Sequence, residues 1–152
     1  MEQNISDIQQ MLGLSDEDMA KPLPQPTPWS QPFWDAAREH RLVLRRCNTC
    51  GAYQHPPYPS CEVCYEEDFS WVDAAGRASL WAYTVNHFAV PFPFLADLPY
   101  VTAIVELAEG VRMISNIVEC DHDSLRNGME LEVVFDEVSD EFTLPKWKPV
   151  GP

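Results

Sequence analysis

The residues best suited to chemistry in this sequence are its five cysteines. Four of them form two Cys-x-x-Cys pairs, Cys47 with Cys50 and Cys61 with Cys64, separated by residues 51–60. Pairs at this spacing fold as two knuckles that close a tetrahedron of thiolates around one metal ion. Gly51, directly after the first pair, supplies the positive φ that such a turn requires. Four protein sulfurs leave no coordination position for water, so the ion would hold the fold together and would not activate a nucleophile. One structural zinc per chain is the expectation, and the same ligands would also suit iron in a rubredoxin-like cage. A redox dithiol needs one pair alone, and the second pair argues against it. His55 reads as an ordinary loop residue, and Cys120 with His122 as a strand end and a loop.

Elsewhere the chain offers little reactive chemistry. It contains no nucleophile elbow, P-loop, dinucleotide fingerprint or HExxH pair. The carboxylates of residues 119–141 read as a solvated face. Two local features are less ordinary. Residues 88–95 form an apolar loop broken by prolines, and Phe92, Pro93 and Phe94 at its centre are candidate anchors for a partner protein. Near the C-terminus, Lys146, Trp147 and Lys148 set two cations beside an indole, a surface that could meet a phosphate and stack on a base or acyl group.

These residues need a scaffold, and hydrophobic periodicity suggests one. Residues 1–29 are an arm: Ile5, Ile8 and Leu12 share one helical face, Ser15 and Asp18 read as a capping box, and prolines at 22, 24, 26 and 28 enforce extended chain. Residues 30–46 hold a helix that opens at Ser30 and Pro32 and a lead-in strand. Phe33 and Trp34 on that helix are core residues or, alternatively, partner contacts. Residues 47–69 are the ribbon. From residue 70 to 149 the pattern is β, with runs at 78–88, 100–107, 112–118, 130–135 and 142–147, a tight turn at Glu109–Gly110 and one helical turn at 125–128. The fold class expected is therefore mainly β: a five-stranded OB-fold barrel preceded by a rubredoxin-like zinc ribbon and a short N-terminal helix.

Composition narrows the partners. The 152 residues hold 24 acidic against 10 basic side chains, a formal net charge of -14, which repels nucleic acid from a fold class that often binds it. No apolar run of about 18 residues marks a membrane span, and the acidic, polar first residues are unlike a secretory signal. A cytoplasmic protein is expected, with no nucleic-acid or membrane partner.

Residues 32–149 resemble a known family. The Phe33–Trp34 helix, Arg46 to Gly51, Pro56–Pro57 before Cys61, Trp71, Gly76, Leu98–Pro99–Tyr100, Gly128–Met129 and Leu144–Pro145–Lys146 occur in an order similar to the zinc-ribbon plus OB-fold proteins of domain-of-unknown-function family 35. The resemblance implies a non-catalytic accessory subunit of a thiolase-fold acyl-CoA enzyme. That enzyme would be a lipid-transfer-protein-like aldolase of steroid side-chain breakdown, a thiolase or an acyltransferase. It also implies two copies of each chain and acyl-CoA as ligand of the complex. An independent acyl-CoA or CoA carrier is the alternative.

Overall fold

A computed structural model describes residues 5–88 and 91–151. The arm carries two short helices, α1 (Ile5–Leu12) and α2 (Asp16–Met19). The second is capped reciprocally: Ser15 Oγ accepts from the Asp18 N–H, and the Asp18 carboxylate accepts from the Ser15 N–H. The proline-rich stretch that follows has no regular structure, and α3 (Gln31–Arg38) begins with Pro32 in its first turn. One face of α3 is buried through Phe33, Ala36 and Ala37.

The chain then forms a three-stranded antiparallel sheet of β1 (Val43–Cys47), β2 (Tyr53–Gln54) and β3 (Phe69–Asp73), ordered β2-β1-β3. β3 pairs with β1 along its whole length, from Val43 opposite Asp73 to Cys47 opposite Phe69. Trp71 therefore lies in the ribbon sheet.

Five further strands close a barrel: β4 (Arg77–Asn86), β5 (Tyr100–Leu107), β6 (Arg112–Ile117), β7 (Glu130–Glu137) and β8 (Thr143–Pro149), ordered β4-β5-β6-β8-β7. Strict alternation on β5 sends Val101, Ala103, Val105 and Leu107 inward, where they meet Leu80, Met113, Ile117, Leu131 and Trp147. Phe33, Leu42 and Leu44 belong to the same cluster, so helix, ribbon sheet and barrel share one core. Gly110, at φ 85°, makes the β5–β6 hairpin as expected, with the Leu107 N–H donating to the Val111 carbonyl at 2.9 Å.

Two expectations shift. The helical turn before β7 is a 3₁₀ turn at His122–Ser124, earlier than residues 125–128, because the Asp121 carboxylate accepts from the Asp123 N–H and starts it there. Leu125 then leaves the turn in extended conformation and plugs the core. The apolar loop is ordered as a 3₁₀ helix over Phe92–Asp97; residues 89 and 90 of that loop lie outside the described residues. Among the described residues no helix is long and apolar enough to cross a membrane.

Candidate functional site

The two knuckles are built alike. Cys47 ends β1, and the Gly51 N–H donates back to its carbonyl at 2.9 Å; at the second knuckle the Tyr65 N–H donates to the Cys61 carbonyl at 3.0 Å. Gly51 and Tyr65 hold corresponding positions, at φ 78° and 64°. A glycine takes that conformation freely, whereas tyrosine is strained there, and the Tyr65 ring is 79% exposed and so gains little from packing. Tyr65→Gly should therefore stabilise the zinc-loaded chain by about 0.5 kcal/mol or more, seen as a higher Tm at fixed zinc concentration.

The loop between the knuckles is fixed by β1 and β2. Arg45, buried and lying cross-strand from Trp71, stacks 3.6 Å over the Phe69 ring and donates to the Tyr58 carbonyl. Gln54 donates to the Ser60 carbonyl at 3.2 Å. The second pair is thereby carried back to the first. All four Sγ atoms lie within 4.8 Å of one another, with Cys47 to Cys64 at 3.5 Å and Cys50 to Cys61 at 3.6 Å. A tetrahedral ion with Zn–S bonds of about 2.3 Å needs sulfurs about 3.8 Å apart, so the donor set fits zinc in both type and spacing.

The local electrostatics favour such an ion. The N–H groups of Cys50 and Thr49 aim at Cys47 and lower its thiol to about 6; those of Cys64 and Val63 lower Cys61. Cys64 receives the Glu66 N–H, yet desolvation and the three neighbouring thiols outweigh it and push the thiol up to about 12. Sulfurs this close become anionic together only around a cation. His55 lies outside this cluster, tilted against the Phe33 ring at 5.3 Å, and burial pushes its pKa down to about 4.

The other candidate residues separate. Trp147 is 0% exposed, at the centre of the barrel, and cannot stack on a ligand. Strand alternation that turns Trp147 inward turns Lys146 and Lys148 outward, where carboxylates engage both: Asp136 for Lys146, Glu119 and Glu132 for Lys148. Phe33 is likewise buried, packed edge-on against Trp34 at 5.1 Å, which removes it from any partner surface; Trp34 is half-buried and also meets Phe142. Phe92 is 43% exposed. Pro93 and Phe94 are half-buried, with Phe94 against Tyr100 and beneath Lys21 of the arm, itself paired with Asp97.

Comparison with known proteins decides the family. Residues 34–70 match the ChsH2 rubredoxin-like zinc ribbon domain and residues 71–136 the ChsH2 C-terminal OB-fold domain. A DUF35 domain-containing scaffold protein of Methanocaldococcus jannaschii is 34% identical over 101 residues, 66% of this chain and 71% of that protein. The chain belongs to the DUF35 family. This DUF35 chain is also 40% identical over 121 residues, 79% of its length, to a probable enoyl-CoA hydratase alpha subunit of Thermomonospora curvata, but it spans only 37% of that longer relative. Among solved structures, the Ltp2-ChsH2(DUF35) aldolase contains a chain that is 35% identical, with a TM-score of 0.78 over 85% of this DUF35 chain and 100% of its counterpart.

One feature of the DUF35 chain was not foreseen from sequence. A cleft of ≈ 530 Å³ runs between β6 and β8, walled by Trp29 of the arm, Trp34, Tyr58 and Leu144. The signal that could have found it is Pro145, a proline within a strand.

Proposed function

We propose that this chain is a zinc-binding, non-catalytic accessory subunit of a thiolase-fold acyl-CoA enzyme, acting in carbon-carbon bond cleavage or thiolytic acyl transfer. One observation carries the reading: the chain matches the whole of the DUF35 chain in a two-component aldolase. The acyl-CoA class is supported by the likeness to an enoyl-CoA hydratase alpha subunit. The zinc ribbon braces the barrel, and the barrel presents apolar side chains to the partner. Phe88 and Phe92 are the freest rings of the apolar loop, and Pro93 and Phe94 are half-buried. Lys146 and Lys148 keep a role toward the acyl-CoA phosphates only if those phosphates displace their carboxylates. Two copies of each chain are expected, because thiolase-fold partners are symmetric dimers that offer the same patch twice.

The test is co-expression with the thiolase-fold enzyme, followed by size-exclusion chromatography and a turnover assay. The pair should elute as one complex, and the isolated chain should not turn over acyl-CoA. Phe88→Ala with Phe92→Ala should keep zinc content and fold while weakening the complex by about 2 kcal/mol, roughly 30-fold. Turnover by the isolated chain, or a double variant that assembles normally, would overturn the reading.

A further inference from the structure

The cleft beside β6 and β8 differs from the rest of the chain in charge. The sequence holds 24 acidic against 10 basic side chains, yet no carboxylate lines the cleft, and its one charged lining residue among those described is Lys146. His55 also lines it and is held neutral by burial, which pushes its pKa down to about 4. Most of the neutral polar groups are already used within the chain. The Thr27 hydroxyl donates to the Ser30 hydroxyl at 3.0 Å, the Ser115 hydroxyl to the Pro145 carbonyl at 2.8 Å, and the Asn116 amide to the Val101 carbonyl at 2.9 Å. The Lys146 ammonium has three donors, and Asp136 accepts from one of them. Asp136 does not itself line the cleft; it meets Lys146 from a neighbouring hollow.

The walls are apolar. Trp29 and Tyr58 are 40% and 46% exposed and Trp34 is half-buried, so three aromatic side chains line a concave site that leaves them uncovered. The volume of ≈ 530 Å³ falls in the roughly 300–1,000 Å³ range of small-ligand sites, which are mostly apolar with a few polar groups that fix orientation. Aromatic walls suit flat rings, and a lone ammonium among uncharged groups selects one negative charge. We propose that this cleft binds a small organic anion, a monocarboxylate with a flat ring body. Its rings pack against Trp29, Trp34 and Tyr58, and its carboxylate accepts from Lys146. Asp136 stays in place, because it repels a monoanion at a second ammonium N–H less than it would repel an acyl-CoA phosphate dianion. This site is formed by the one chain and stands apart from the identity of the partner enzyme.

The probe is 2-naphthoate, titrated into the ¹⁵N-labelled, zinc-loaded full chain. It should bind with a Kd below about 1 mM and shift the indole N–H signals of Trp29 and Trp34 but not that of Trp81, which lies outside the cleft. The neutral isostere 2-naphthamide should bind about fivefold or more weakly. Two variants separate a ligand contact from a purely structural ion pair. Lys146→Met, which keeps most of the length of the side chain, should reduce naphthoate to the affinity of naphthamide. Asp136→Asn removes the like charge beside the bound carboxylate, so it should tighten naphthoate about threefold or more and leave naphthamide unchanged. These results would overturn the proposal: a Kd above about 1 mM, equal binding of naphthoate and naphthamide, shifts confined to Trp81, native affinity in Lys146→Met, or no gain in Asp136→Asn. The amide comparison and Asp136→Asn decide even if Lys146→Met fails to fold.

Discussion

A strong chelator should unfold the ribbon of this protein, and Cys61→Ser should yield chain that is largely insoluble. Cys61 is buried, and its N–H and carbonyl hold the second knuckle through Glu66 and Tyr65. Binding of a structural zinc is worth about 10–16 kcal/mol in small zinc domains, and because the unfolded chain has no preformed site, that energy is folding energy. A domain of this size is stable by about 5–15 kcal/mol in all, so the ion decides whether the ribbon forms. The damage should also spread, since Leu42 and Leu44 sit between the ribbon and the barrel in the shared core. Metal analysis of the native protein should give one zinc per chain. Far-ultraviolet circular dichroism should fall on chelation and return when zinc is restored. Acid should act in the same direction, because protons compete with the metal for the sulfurs. A chain that stays folded without metal would contradict the assignment.

The features that were legible in the sequence depend on local spacing. Metal ligands must come at fixed intervals, so Cys47, Cys50, Cys61 and Cys64 marked the ribbon without knowledge of the fold. The turn at Glu109–Gly110 and the β run of residues 100–107 are equally local, and both were read correctly. What depends on pairing was less visible. β3 has a strand-like composition that fits either sheet, and only its register with β1 places it in the ribbon. Leu125 was expected inside a helical turn; instead its side chain is buried and its backbone is extended past the turn. Phe33 and Trp34 are adjacent aromatics on one helix, and a shift of about 100° per residue separates a buried ring from a half-exposed one. The cleft lies where two strands distant in sequence pair at one residue alone, and Pro145 is its one local trace.

Trp147 gives the second large effect. Lys146–Trp147–Lys148 reads as a ligand-stacking surface if the indole faces out, and as a core strand if it faces in. Barrel closure selects the second, with Val133 on β7 and Ile117 on β6 as the strand partners of Trp147. Trp147→Ala should cost about 3–5 kcal/mol through the cavity it leaves, and lower Tm by roughly 10 °C in a chain of this length. The indole also carries its own penalty, since Trp147 Nε1 is buried with no hydrogen-bond partner among the described residues. Burying an unpaired donor costs about 1–3 kcal/mol, so Trp147→Phe, which loses volume but removes the orphaned N–H, should fall within about 1.5 kcal/mol of the native chain. Lys148→Ala breaks only exposed ion pairs and should change stability by about 0.5 kcal/mol or less. Thermal unfolding of the zinc-loaded variants orders the three: alanine far below phenylalanine, and Lys148→Ala beside the native chain. An unchanged Tm for Trp147→Ala would return the indole to the surface and reopen the ligand-stacking reading, since a ring that packs nothing can be removed without cost.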